Sequence, residues 1–170
     1  VYGCPPLIYR GQVISSTAIR KAILEGELEK AEAMLGRPVS VLGTVVKKSG
    51  RGRILGYPTA NLELHHEVRP PRGVYGTKVR WAEQVHLALT NIGLRPTFVQ
   101  EPFTGEEETL EIEVHILDFQ GSLYGQTLEV QFLFKIRDEI PFQTAEELKT
   151  QIERDKEALL KKALTTQYCH

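Results

Sequence analysis

Two hydrophobic periods divide this chain. Up to about residue 38 the apolar positions recur at helical spacing, and from Val39 onward they alternate with a period of two. Ser15, Ser16 and Thr17 offer side chains that cap a helix, and Ile19, Ala22 and Ile23 supply its apolar face. Gly26 interrupts that helix. A second short one over 27–35, with Leu28, Ala31 and Leu35 on one side, stops at Gly36 before Pro38. Two such helices can cover a partner surface but cannot form a core alone.

Beyond residue 38, β-branched and apolar residues alternate with polar ones over 39–46, 59–64, 74–81, 85–91, 109–117 and 127–136, which predicts strands. Short, turn-like separators, WAEQ among them, make neighbouring strands antiparallel. An open sheet of six strands would leave two edges and a bare face, so closure into a small barrel with Greek-key connections is the economical solution. A last helix begins at Thr144, where Glu147 completes a capping box. Its stripe of Leu148, Ile152, Leu159 and Ala163 suits packing on the outside of the barrel, a contribution to stability rather than to chemistry. The fold class expected is mainly β: a six-stranded antiparallel Greek-key barrel with a C-terminal α-helix and two short N-terminal helices. The helical stretch 1–38 and the barrel with its helix, 39–170, form two regions.

The 170 residues suffice for one substantial core. With 21 basic and 22 acidic side chains the net charge is -1, so general attraction to nucleic acid or to an anionic membrane is not expected, and any anion site must be local. Cys4 and Cys169 share no metal-ligand spacing and read as free thiols in a reducing compartment. No apolar run approaches the ~20 residues needed to cross a bilayer, and the expected location is cytoplasmic.

Chemistry concentrates in SGRGRILGYPTAN, residues 49–61. Gly50, Gly52 and Gly56 let the backbone approach a ligand closely, and Arg51 and Arg53 present donors that match phosphate oxygens. Thr59 and Asn61 point the same way if the chain is extended there, a pair of oxygens that suits a hard cation such as Mg²⁺. The bland alternative is a basic surface loop leading into an ordinary strand. In ETLEIEVHILDF, alternation sends Glu111, Glu113 and His115 to one face, either a solvated surface or a site in which a carboxylate acts as general base. His115 is either a partner of that site or structural. NIGLRPTF suits a constrained loop at a cleft or a plain turn. Tyr124 and Arg137 are weaker signals, open to readings as a core-edge cover and a surface ion pair.

Together GRGRILGYPTAN, GVYG, TNIGLRPTF, the strand centred on Glu113, and LYG followed by Arg137 resemble the riboflavin kinase family, over about residues 39–164 and in the right order. The likeness is closest to the kinase module of the bacterial bifunctional riboflavin kinase and FAD synthetase. ISSTAIR, residues 14–20, is similar to the closing segment of the adenylyltransferase half of that enzyme. The resemblance implies a six-stranded Greek-key barrel that moves the γ-phosphoryl group of ATP to the terminal ribityl hydroxyl of riboflavin, giving FMN and ADP. It implies Thr59 and Asn61 at the Mg²⁺ and nucleotide positions, with Glu113 as the catalytic base. Gly50, Gly52, Arg53 and Gly56 fall in the loop over the phosphates, Tyr124 on a nucleotide contact and Arg137 on a flavin contact. It further implies an N-terminal adenylyltransferase module in the full-length protein. A non-catalytic flavin- or nucleotide-binding barrel is the rival reading.

Overall fold

A computed structural model describes residues 5–47, 57–65, 67–94 and 110–165. The chain opens with a hairpin that alternation does not reveal, β1 (Ile8–Tyr9) against β2 (Gln12–Val13). Its two turn residues, Arg10 and Gly11, have φ of 47° and 78°, the left-handed pair that a tight turn between right-twisted strands requires. The expected helices follow. Helix α1 (Ser16–Leu24) is capped by Ser15, whose hydroxyl accepts from the Ala18 N–H, and α2 (Leu28–Leu35) ends at a left-handed Gly36.

Six longer strands come next: β3 (Val39–Val46), β4 (Ala60–Leu64), β5 (Gly73–Trp81), β6 (Gln84–Leu94), β7 (Leu110–Ile116) and β8 (Thr127–Arg137). They close into an antiparallel barrel in the order β3-β4-β7-β6-β5-β8, with β8 returning to pair with β3. Strands β5, β6 and β7 are successive neighbours and β8 comes back beside β5, the Greek-key arrangement expected. The register shifts twice between β5 and β8, at Val74/Tyr75 and Gly76/Thr77, which increases local twist and helps the sheet to close.

Alternation explains the interior. Val41, Val45, Leu62, Val79, Ile112, Val114, Ile116, Leu128, Val130 and Phe132 pack inside the barrel. Ala22, Ile23, Leu28 and Ala31 from α1 and α2 join the same cluster, and α2 packs on β3 and β8. The two helices that cannot make a core alone therefore share the barrel's.

Strand β8 is buried on both faces over 132–134, where a C-terminal helix, α3 (Ala145–Thr165), packs outside it. Leu89, Leu117, Leu133, Phe134 and Leu159 form this second apolar layer. Thr144 accepts from the Glu147 N–H at 3.2 Å, and the Glu147 carboxylate accepts in return from the Gln143 N–H at 3.0 Å. The capping box thus closes one residue earlier than the usual pairing. Beside this layer a cavity remains between α3 and the outward residues Asn91, Glu111 and Glu113 of β6 and β7.

Candidate active site

Strand β7 places the central group. Ile112, Val114 and Ile116 face the interior, which turns Glu111, Glu113 and His115 outward, and all three line the cavity under α3. Of the two readings open for this row, a solvated surface or a site, the row lines a cleft. Backbone pairing sets Glu113 opposite Asn61 of β4 on one side and opposite Asn91 of β6 on the other. Directly opposed residues bring their side chains within ~5 Å, so a carboxylate stands between two carboxamides in one row.

Thr59 lines the same cavity, whose volume is about 380 Å³. It also lines a second cavity of about 500 Å³, walled by Phe119, Leu123 and Tyr124. Thr59 is therefore the partition between two hollows, each within the range of small-molecule sites. Asn61, two residues on and within β4, lines neither cavity; it is only 6% exposed, and its Oδ1 has no hydrogen-bond partner among the described residues. A buried carbonyl oxygen without a donor is costly unless something fills its lone pairs. A hard cation does so, and the donor set of one hydroxyl and one carboxamide oxygen fits Mg²⁺, which takes few protein ligands and leaves positions for phosphate and water. No group of three His, Cys, Asp or Glu side chains able to hold a metal occurs among the described residues.

The segment entering β4 is held on two sides. Tyr57 donates its hydroxyl to Glu153 Oε1 of α3 at 2.6 Å, a bond that raises the phenol above its ordinary pKa. The Tyr57 ring meets His115 edge-on at 5.4 Å, and His115 Nδ1 lies 3.0 Å from the Pro58 carbonyl oxygen.

Arg137, at the end of β8, lines the first cavity but does not offer a free charge to it. Its Nε donates to Asp155 Oδ1 and Oδ2 at 3.0 and 2.9 Å, Nη2 lies 2.8 Å from Oδ2, and Nη1 donates to the Asp138 carbonyl. The guanidinium carbon also lies 5.7 Å from the centre of the Phe142 ring. The surface ion pair considered for Arg137 is instead a partly buried one, with Asp155 the buried member. Tyr124, 54% exposed, stands at the second cavity rather than over the core edge.

The structure adds residues that the pattern alone passed over. Asn91 donates from Nδ2 to Glu139 Oε1 at 3.4 Å, and Arg72 Nε donates to Glu139 Oε2 at 3.3 Å. Glu139 fits there because residue 93 is glycine: a Cβ at Gly93 would overlap the Glu139 carboxylate. Helix α3, expected to serve stability only, supplies Leu148, Ile152 and Asp155 to the cavity wall. Gly50, Gly52, Arg53 and Gly56, like Arg51 and the stretch 95–98, lie outside the described residues.

The model of the Flavokinase family, described as riboflavin kinase, matches residues 35–163. The chain belongs to the riboflavin kinase family. The match takes in both cavities and all of the barrel. Among curated relatives, the bifunctional riboflavin kinase/FMN adenylyltransferase of Haemophilus influenzae is 44% identical over 147 residues, covering 86% of this chain and 46% of that protein. The proteins of that name from Listeria monocytogenes and Escherichia coli K12 are each 41% identical, covering 85% of this chain and 44% of theirs. The chain thus spans about half the length of the curated relatives it matches. A crystal structure of a protein described as a macrolide-efflux protein from Streptococcus pneumoniae superposes with a TM-score of 0.78 at 38% identity, over 92% of this chain and 49% of that one. Riboflavin kinase from Trypanosoma brucei shares the fold, with a TM-score of 0.54 at 22% identity over 75% of this chain and 81% of its own. No helix among the described residues is long and apolar enough to cross a membrane.

Proposed function

We propose that this chain transfers the γ-phosphoryl group of ATP to the terminal ribityl hydroxyl of riboflavin, giving FMN and ADP, with Mg²⁺ bound to the nucleotide. The observation that carries the reading is the position of Thr59 on the wall shared by two cavities, one of them lined by Glu113. A transfer between two small molecules requires two adjoining sites with the acceptor's proton acceptor in one of them.

Riboflavin takes the cavity between β7 and α3, its ring toward Arg137 and Phe142 and its ribityl chain toward Glu113. The nucleotide takes the side of Tyr124 and Leu123, and its phosphates meet the partition. Thr59 Oγ1 and Asn61 Oδ1 would hold Mg²⁺ there, and the ion supplies positive charge against the phosphate oxygens. Gly50, Gly52, Arg53 and Gly56 are proposed to supply further donors to those phosphates. An alcohol hardly ionises at neutral pH, so Glu113 accepts its proton as the new O–P bond forms, a contribution on the order of 10²- to 10⁴-fold. Asn61 and Asn91, flanking Glu113, keep the carboxylate in a polar row without adding charge.

The relatives are named for two activities, and in a longer protein an adenylyltransferase module would precede residues 35–163, with 1–38 as its closing part and the cytoplasm as its location. The stretch described here would then stop at FMN. The test is direct: incubate the protein with riboflavin, ATP and Mg²⁺ and separate flavins by chromatography. FMN formed in step with ADP supports the reading; bound but unaltered riboflavin would make the barrel a carrier instead.

A further inference from the structure

We propose that His115 is a positioning residue, which fixes Thr59 by gripping the Pro58 carbonyl and takes no proton in the reaction. The inference rests on the kinase reading and deepens it at the nucleotide end of the site.

A carbonyl oxygen only accepts, so at 3.0 Å from Pro58 O the His115 Nδ1 must carry the hydrogen. The place of that bond is informative. Strands β4 and β7 pair through Ala60↔Val114, Asn61↔Glu113 and Leu62↔Ile112, and the ladder stops there. Two residues before Ala60 stands Pro58, which has no N–H to donate to a ladder. The His115 side chain donates to the Pro58 carbonyl from the neighbouring strand, and so holds the peptide unit leading into Thr59. A second contact keeps the ring in place, the edge-on Tyr57 ring at 5.4 Å, itself tied to α3 through Glu153.

The consequence is a shared origin for the two ends of the reaction. Glu113 and His115 are two apart on one face of β7, so the strand that presents the proton acceptor also sets the hydroxyl of Thr59 on the partition between the cavities. Any shift of β7 moves both together and preserves their spacing.

Three substitutions separate this role from others. In His115→Asn the carboxamide nitrogen reaches the place of Nδ1; in His115→Gln it reaches the place of Nε2; His115→Leu offers neither. Expected is an apparent KM for Mg·ATP within about twofold of wild type for H115N, and raised roughly three- to tenfold in both H115Q and H115L, the size of one net hydrogen bond. Riboflavin affinity, read from flavin fluorescence, should stay within about twofold in all three, and the kcat pH profile of H115N should keep the wild-type shape. An H115N as impaired as H115L, a loss that falls on riboflavin instead of Mg·ATP, or a pH limb that vanishes in H115N would overturn the proposal. Calorimetric binding of Mg·ADP to the same variants separates it from the kinase reading. A wild type that binds Mg·ADP yet makes no FMN sinks that reading and leaves the Asn-against-Gln difference in affinity to decide His115. Failure to bind Mg·ADP at all overturns both.

Discussion

Replacing Asp155 with alanine should cost this fold more than any other single change on the surface of the cavity. The carboxylate is 4% exposed and the Arg137 side chain 19%, with three N···O contacts between 2.8 and 3.0 Å, and Gln151 Nε2 donates to the same Oδ1 at 2.8 Å. Two unit charges ~4 Å apart attract by about 4 kcal/mol at the effective dielectric of such sites. Asp155→Ala removes that attraction and leaves a guanidinium with the Asp138 carbonyl and a Gln151 amide with no acceptor. The usual penalty for orphaning one member of a buried pair is ~3–5 kcal/mol. Arg137 borders the cavity and water can reach part of it, so the lower end applies, about 3 kcal/mol. For a chain of this length each kcal/mol moves the midpoint by ~2–4 °C, which gives a drop of roughly 6–12 °C. Urea titration should show a lower midpoint with an unchanged slope. The double substitution Arg137→Leu, Asp155→Leu should recover most of the loss, since two apolar groups leave no buried charge. A single variant within ~1 kcal/mol of wild type would refute the claim that this pair ties α3 to β8. A double variant as unstable as the single would show that the orphaned charge is not the cause.

Thr59→Val removes the hydroxyl at the partition while keeping the shape, and should weaken Mg·ADP binding by about tenfold in calorimetry with riboflavin affinity unchanged; equal nucleotide affinity would take Thr59 out of the metal site. Tyr75 gives a pH prediction. Its ring is buried, its hydroxyl donates to the Pro71 carbonyl at 2.7 Å, and burial first, then the nearby Asp138 charge, lifts the phenol from 10.0 to about 12. Because the folded value lies above the unfolded one, its contribution is whole below pH 10 and is lost as pH rises through about 12, a decline of roughly 3 kcal/mol. Tyr75→Phe should be ~1 kcal/mol less stable at neutral pH, with the difference from wild type shrinking and reversing between pH 10 and 12 in denaturant melts; parallel curves would contradict this.

Much of this fold is legible in the chain because closure of the barrel rewards strict alternation. The six strands stand within three residues of where period two sets them, and the row of Glu111, Glu113 and His115 follows from Ile112 and Val114 needing the interior. Local chemistry is equally legible at Ser15 and Thr144, whose side chains cap their helices. The first hairpin is not: its strands are two residues each, too short for alternation to register, and Arg10 at positive φ is unusual for its type. Asp155 leaves a trace in the helix pattern. The helix stripe runs Leu148, Ile152, Leu159, Ala163, and Asp155 occupies the slot between the middle pair, a charge where an apolar residue belongs. Such a break in a stripe marks a buried partner, here Arg137. The meeting of Asn91 with Glu139, and of Tyr57 with Glu153, joins residues distant in the chain. No spacing encodes those contacts; they follow from how α3 and the segment after β8 settle on the barrel. That same settling turns a helix expected to add only stability into one wall of the cavity.

The central claim is that Glu113, set between Asn61 and Asn91 on β7, accepts the ribityl proton in a site shared with Mg·ATP. The most direct measurement is the rate of FMN formation from riboflavin and Mg·ATP by wild type and Glu113→Gln under saturating substrates, with riboflavin affinity followed in parallel. The account predicts that turnover falls by about 10²- to 10⁴-fold while riboflavin affinity stays within a few-fold. Near-normal FMN formation by the glutamine variant would contradict it.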